Sequence, residues 1–387
     1  MAEKLYSLES VTETISVASE AAAMKCKLKF GQVLLLGVIA AAYLAMATTL
    51  SFAVAAGVEP TSLQKLVMGV VFPVGLIAVV VAVSELSTGN YLITPLGAMT
   101  RRVGWKQTLC NWAGSYAGNL LGAFLLAVVI IQGAHLLVGP MWGEEWVGLL
   151  KKIVLAKASL SPLEAFFRGI LCIWLVDLAV WQAYRAKDLT SKFLLIWFPT
   201  FAFFALGLEH SVVNMFLFPA GIFAGVEVSW SQFFVNNLIP VVTGNVVGGV
   251  FIVGMLYWYS AGLPVFGRLG GVSADGLVEQ GSYRLLGLTI LKGGAAVAVF
   301  VILFPGVAGG LSILLPVELG LFVPIAVILY VATMALVMPM AFVRMSKVIS
   351  SETWQGRTAQ LLSFRNNGAS PRHSSSQVAL VRPGHDS

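Results

Sequence analysis

Six apolar stretches, at 30–57, 66–99, 108–138, 163–184, 193–224 and 233–259, are each long enough to cross a bilayer, and two more follow at 285–304 and 317–343. A helix rising about 1.5 Å per residue needs roughly 20 apolar residues to span the hydrocarbon layer. Charged residues make up only 11% of the chain and hydrophobic ones 58%, whereas about a quarter of a soluble domain is charged. Lipid is therefore the solvent for most of these residues, and no large soluble domain fits. The formal charge of +6 does not point to nucleic acid, because the basic residues sit in short loops and the tail, where they set orientation. Cys26, Cys110 and Cys172 are far apart, without a CxxC pair or a Cys/His cluster. Neither a disulfide framework nor a metal site is implied, and no cofactor fingerprint appears.

The loop charges predict the topology. Lys25, Lys27 and Lys29 precede the first helix; Arg101, Arg102 and Lys106 follow the second; Arg185, Lys187 and Lys192 follow the fourth; Arg344 and Lys347 follow the eighth. Positive loops stay inside, so both termini are expected in the cytoplasm, most simply across the plasma membrane. Lys151, Lys152 and Lys157 break the rule, partly balanced by Glu144 and Glu145. The first 29 residues lack an apolar core between their charges, which argues against a signal peptide. The expected organisation is a cytoplasmic segment 1–29, a core 30–261, a connector 262–284, two additional helices within 285–343 and a cytoplasmic tail 344–387. The tail is rich in Ser, Arg, Asn and Gly and is expected to be disordered.

Two polar interruptions carry the functional signal. Helix two contains Glu85-Leu-Ser87-Thr-Gly-Asn90 and helix five Glu209-His-Ser211-Val-Val-Asn214; both read E-x-S-x-x-N. Downstream, Asn111, Gly118, Asn119 and Gly122 recur as Asn237, Gly244, Asn245 and Gly248. The offsets are 124 (209 minus 85) and 126 (245 minus 119), so order and spacing are preserved. Such a period marks an internal repeat, here 30–138 and 163–261. Three crossings per half are an odd number, so the second half enters the membrane from the opposite side and the halves form an inverted pair. Non-helical backbone at membrane depth must line a cavity or be buried in protein. The two breaks are therefore expected to meet and mark a permeation route.

Within helices two and five the ionisable residues are Glu85, Glu209 and His210. The two glutamates are expected to be satisfied mainly by their own broken-helix backbone, as buried charges require local partners. His210 has Leu86 at its matching position and so no counterpart. Imidazole titrates near neutral pH, with an unperturbed pKa of about 6.5, and a histidine in such a break is expected to act in the pathway.

The motifs FPVGL at 72–76, SELSTGN at 84–90, NWAGSYAGN at 111–119, LAVW at 178–181, LGLEHSVVNMF at 206–216 and NLIPVVTGN at 237–245 together resemble the formate/nitrite transporter family over about 30–259. The resemblance implies an all-α polytopic membrane protein, with an aquaporin-like six-helix core whose helices two and five are broken. It also implies a homopentamer in which each subunit has its own pore for formate, nitrite or similar anions, often with protons. By motif, His210 is the central proton donor, with Thr88 and Asn245 as polar neighbours. Phe72, Leu76, Leu86, Phe203 and Val176 line two apolar constrictions. Lys157 is the vestibule lysine, which would account for the charge on the wrong side of the membrane, and Glu209 and Ser87 belong to the same pathway. A cationic mouth concentrates anions, while an apolar neck penalises the bare charge and favours the protonated acid.

Three positions depart from the family pattern. Ser87 stands where Phe is usual, which would widen or wet one constriction. Ile173 stands where Asn is common. Asp177 is an unusual acid in an apolar helix, facing either the subunit contact or a functional partner. Helices seven and eight are additions to the family plan. Lactate, bicarbonate or hydrosulfide remain alternative substrates of the same pore. An embedded enzyme using Glu85, Glu209 and His210 lacks a nucleophile motif, and a sensor or scaffold built on the C-terminal helices and tail is the other non-transport alternative.

Overall fold

A computed structural model describes residues 8 and 10–261. The connector, the two additional helices and the tail expected from the sequence lie outside the described residues. The described residues are helical, with one isolated bridge between Leu8 and Ala186. Four helices are long and apolar enough to cross a membrane: Phe30–Ala55, Thr61–Val81, Trp105–Gly133 and Gln232–Ser260. In chain order the elements are α1 (Val11–Lys25), α2 (Phe30–Ala55), α3 (Thr61–Val71), α4 (Pro73–Val81), α5 (Ser87–Met99), α6 (Trp105–Ala127), α7 (Glu144–Ala158), α8 (Pro162–Arg185), α9 (Leu189–Ala205), α10 (Ser211–Phe223), α11 (Ile239–Val247) and α12 (Leu256–Ser260). Stretches of π-helix extend α6 over Val128–Gly133 and flank α11 over Gln232–Leu238 and Gly248–Met255.

The core is two close helix pairs, α2 along α6 and α8 along α11. Glycine makes both contacts possible. A Cβ on Gly118 would run into the carbonyl oxygen of Leu34, and one on Gly244 into that of Phe166. Bulk at either crossing would force the backbones apart, so small residues there set the interhelical distance.

Both expected breaks are present. The second crossing stops after Val81 and resumes at Ser87; the fifth stops after Ala205 and resumes at Ser211. The two turns share one backbone plan. Ser84 N donates to Val79 O and Leu208 N to Phe203 O, positions 124 apart, and the residue before each donor is left-handed: Val83 at φ 56° and Gly207 at φ 66°. Glycine tolerates that region, whereas a β-branched residue is strained by about 1–2 kcal/mol. Val83→Gly is therefore expected to stabilise the protein by about 0.5–1 kcal/mol, after allowing for the greater freedom of glycine in the unfolded chain. A higher unfolding midpoint in detergent checks it, and an unchanged or lower one contradicts the strain at Val83.

Two helices had no counterpart among the apolar stretches. α1 is fixed by a capping box in which Ser10 and Glu13 bond each other's backbone N–H groups. It lays Ile15, Ala18 and Ala22 against Leu92, Leu96, Val180 and Trp181. α7 opens with Glu144 and Glu145 and ends with Lys157, the charge order that a helix dipole favours. Each of these short helices ends in a lysine that reaches into a break.

Candidate functional site

Each break is held by the same five-part constellation. In the first, Glu85 is buried; its Oε1 accepts from Lys25 Nζ at 2.8 Å, and its Oε2 from Asn90 Nδ2 at 2.8 Å and Asn111 Nδ2 at 3.1 Å. In the second, Glu209 Oε1 accepts from Lys157 Nζ at 2.7 Å, and Oε2 from Asn214 Nδ2 at 2.6 Å and Asn237 Nδ2 at 3.1 Å. The broken backbone is clamped by asparagine in both. Asn119 Oδ1 takes Ser87 N at 2.8 Å while its Nδ2 donates to Gly37 O and Glu85 O. Asn245 does the same for Ser211 N at 3.0 Å, Gly169 O and Glu209 O.

One expectation is corrected by these contacts. The glutamates are satisfied by a lysine and two asparagines on neighbouring elements, not by their own broken backbone. The reason is geometric, since Asn119 and Asn245 already occupy the first N–H of α5 and of α10. Asn245 stands beside His210 through the backbone, gripping the chain on either side of it. Lys25 was missed as a site residue because a lysine before the first apolar stretch reads as an orientation signal. The offset of 132 shared by Lys25 and Lys157 (157 minus 25) and by Gly37 and Gly169 (169 minus 37) carries the missing information.

His210 is the N-cap of α10 and is 2% exposed. Its Nδ1 accepts from Val213 N at 3.3 Å, and its Nε2 lies 3.2 Å from Thr88 Oγ1. A ring nitrogen that accepts carries no proton, so the neutral ring is protonated at Nε2 and donates to Thr88. This contact joins one break to the other across 122 residues of sequence. A second proton on the ring must go to Nδ1 and break the cap, which couples ring charge to the first turn of α10. Phe203 stacks on the ring at 5.7 Å between centroids and meets Phe72 edge-on at 5.4 Å, while Phe72 stacks on Phe204 at 3.8 Å.

Two cavities approach this centre and share no lining residue. The first, about 440 Å³, is walled by Leu76, Leu86, Val79, Glu85, Lys25 and Lys192 among others. The second, about 360 Å³, is walled by Phe203, Phe204, His210 and Glu209 and by the cations Lys65, Lys152, Lys157 and Arg168. Bases outnumber acids on both walls, which draws anions to the mouths. Phe72, Ser87, Thr88 and Val176 are buried and border neither cavity. Ile173 is also buried, and Asp177 is fully enclosed, so it does not face outward to a subunit contact. Among the described residues no group of His, Cys, Asp and Glu is placed to hold a metal ion.

The family model described as Formate/nitrite transporter matches residues 12–259. A probable formate transporter of Methanothermobacter thermautotrophicus is 42% identical over 268 residues, covering 66% of this chain and 97% of its own length. A solved structure described as an FNT family ion channel superposes with a TM-score of 0.59 at 32% identity, covering 64% of this chain and 99% of its own. Another, described as a pentameric formate channel with formate bound, superposes with a TM-score of 0.54 at 29% identity, covering 60% and 97%. The matched span takes in both breaks, the histidine between them and the four membrane-length helices, and this integral, multi-pass membrane protein belongs to the formate/nitrite transporter family.

Proposed function

We propose that the chain forms a transmembrane pathway for small monovalent anions, formate or nitrite first, whose passage is coupled to a proton at His210. The observation that carries this reading is the bond between His210 Nε2 and Thr88 Oγ1, which brings the two breaks together between two basic cavities. An anion gathered at either mouth meets apolar walls, Leu76 and Leu86 on one side and Phe203 on the other. A bare charge is costly there, and the neutral acid crosses at lower cost. The imidazole takes up a second proton at Nδ1 and gives one proton to the passing anion from the cationic ring, returning to the neutral form. The matched contacts of Glu85 and Glu209 support an inverted pair of halves. The pentameric relative supports a homopentamer with one pathway per subunit. Both termini then face the cytoplasm and the membrane is the plasma membrane, as the loop charges argue.

The test is formate and nitrite flux in proteoliposomes under an imposed pH gradient. His210→Ala is expected to lower the proton-driven flux by about a hundred-fold, the scale of losing one positioned acid, and to flatten its pH dependence. A His210→Ala protein that carries formate as the parent does, with the same response to pH, ends the proposed mechanism.

A further inference from the structure

The two helix pairs of the core are built alike, and one residue pair departs from the plan. Gly122 lies over Val38 in the first pair and Gly248 over Ile170 in the second, in step with the crossings at Gly118 and Gly244. Continuing that register, with offsets of 132 for α2 to α8 (169 minus 37) and 126 for α6 to α11 (244 minus 118), sets Ala45 and Ala123 against Asp177 and Gly249. Ala45 and Ala123 are fully buried. In the second half a carboxyl stands in place of a methyl, and the residue across from it has no side chain. A Cβ on Gly249 would lie 2.6 Å from Asp177 Oδ2. The backbone adapts as well: Gly248–Met255 is π-helical, whereas α6 stays α-helical through Ala127. Room has been made for this one acid.

Asp177 is fully buried, and neither of its oxygens has a hydrogen-bond partner among the described residues. A bare carboxylate in that position costs several kcal/mol. Glu85 and Glu209 offset the same cost with a lysine and two asparagines each, and none of the described ion pairs includes Asp177. The neutral acid is the form the site accommodates. Its titratable surroundings are few. α5 contributes Tyr91 and α8 itself Cys172. α11 and the π-helical stretches on either side of it contribute none, and Lys192 of α9 lines the first cavity. α1, with Glu13, Glu20 and Lys25, meets α8 further on, at Val180 and Trp181. Tyr91 borders the same gap, since a Cβ on Gly249 would lie 2.9 Å from Tyr91 Cβ. Tyr91 belongs to α5, whose first turn carries Thr88, the partner of His210.

We propose that Asp177 is a second proton-binding site, which stores a proton beside the passage and exchanges it with the permeating acid. Uptake forms one O–H bond on a carboxyl oxygen and release breaks it; the proton comes from, and returns to, the permeating acid. The link to flux rests on the transport reading above, whereas the site itself does not.

The reconstituted protein at neutral pH is examined by infrared spectroscopy in H2O and in D2O. A protonated-carboxyl band that shifts in D2O and is lost in Asp177→Asn is expected; a spectrum without it, or with the band intact in Asp177→Asn, overturns the site. Proton-driven formate flux is then expected to be lower in Asp177→Asn, which cannot release a proton, than in the parent, and equal flux overturns the coupling to passage. Asp177→Ala places at this position the methyl that Ala45 carries in the first half, and leaves Gly249, where a Cβ would also meet Tyr91, untouched. It is expected to fold, to lack the band and to show the same lower flux, and parental flux in it counts against the proposal. If no anion moves at all, the transport reading fails while the infrared result still decides the site.

Discussion

Glu209→Ala is expected to cost about 3–5 kcal/mol of stability, because it removes one partner of a buried ion pair and leaves the other in place. Glu209 is fully buried and Lys157 is 12% exposed, so the released ammonium has little water to turn to. Asn214 and Asn237 lose their acceptor at the same stroke. Pairing Glu209→Gln with Lys157→Met removes both charges and keeps an amide oxygen for the asparagines. That double variant is expected to regain more than half of the loss, since replacing a buried pair by neutral groups is often close to neutral. The equivalent change at Glu85 is expected to cost less, because Lys25 is 18% exposed. Thermal unfolding in detergent, arranged as a double-mutant cycle, checks all three. A Glu209→Ala protein as stable as the parent would mean that the constellation does not hold the break.

The second large effect is steric. Gly244→Ala and Gly118→Ala are each expected to destabilise by about 2–3 kcal/mol, the upper part of the overpacking range. The added methyl meets a backbone carbonyl, Phe166 O or Leu34 O, which cannot swing aside as a flexible side chain would. The helices must separate, and the clamps of Asn119 on Gly37 O and Asn245 on Gly169 O stretch with them. Gly148→Ala provides the opposite sign. Nothing lies within 4 Å of a Cβ there, inside α7, so alanine is expected to add about 0.5–1 kcal/mol through helix propensity alone. Unfolding midpoints of the three variants check the set, and equal behaviour at positions 118, 148 and 244 would contradict the close crossings.

Hydrophobic length made the crossings legible, with the second half of helix six ending at Ser260 and the first helix beginning at Phe30, each within a residue or two of the apolar pattern. The breaks were legible because E-x-S-x-x-N recurs with Asn119 and Asn245 at a fixed distance behind it. α1 and α7 were not. Their apolar faces are narrow and their ends charged, so they read as loop, although Ser10 and Glu13 spell out a capping box. What Lys25 and Lys157 do depends on those helices. A charge beside an apolar stretch fits membrane orientation and a buried pair equally well until the helix that carries it is placed. The partners of Glu85 escaped for a related reason, as Asn90 and Asn111 converge only once α5 lies on α6. Asp177 was visible as an oddity in an apolar helix, but the gap opposite it is set by Gly249, 72 residues further on (249 minus 177).

The unequal lining of the two cavities has a kinetic meaning. One wall carries Lys65, Lys152, Lys157 and Arg168 against Glu209; the other carries Lys25 and Lys192 against Glu85. Dissolved salt dampens long-range attraction within about 10 Å at 0.1 M, and it dampens the stronger field by more. On the proposed pathway, entry from the lysine-rich end is thus expected to be the faster leg in dilute buffer and to slow the more steeply as salt is added. The expected signature of that pathway is rectification at low ionic strength that fades in brine, a directionality that needs no moving part.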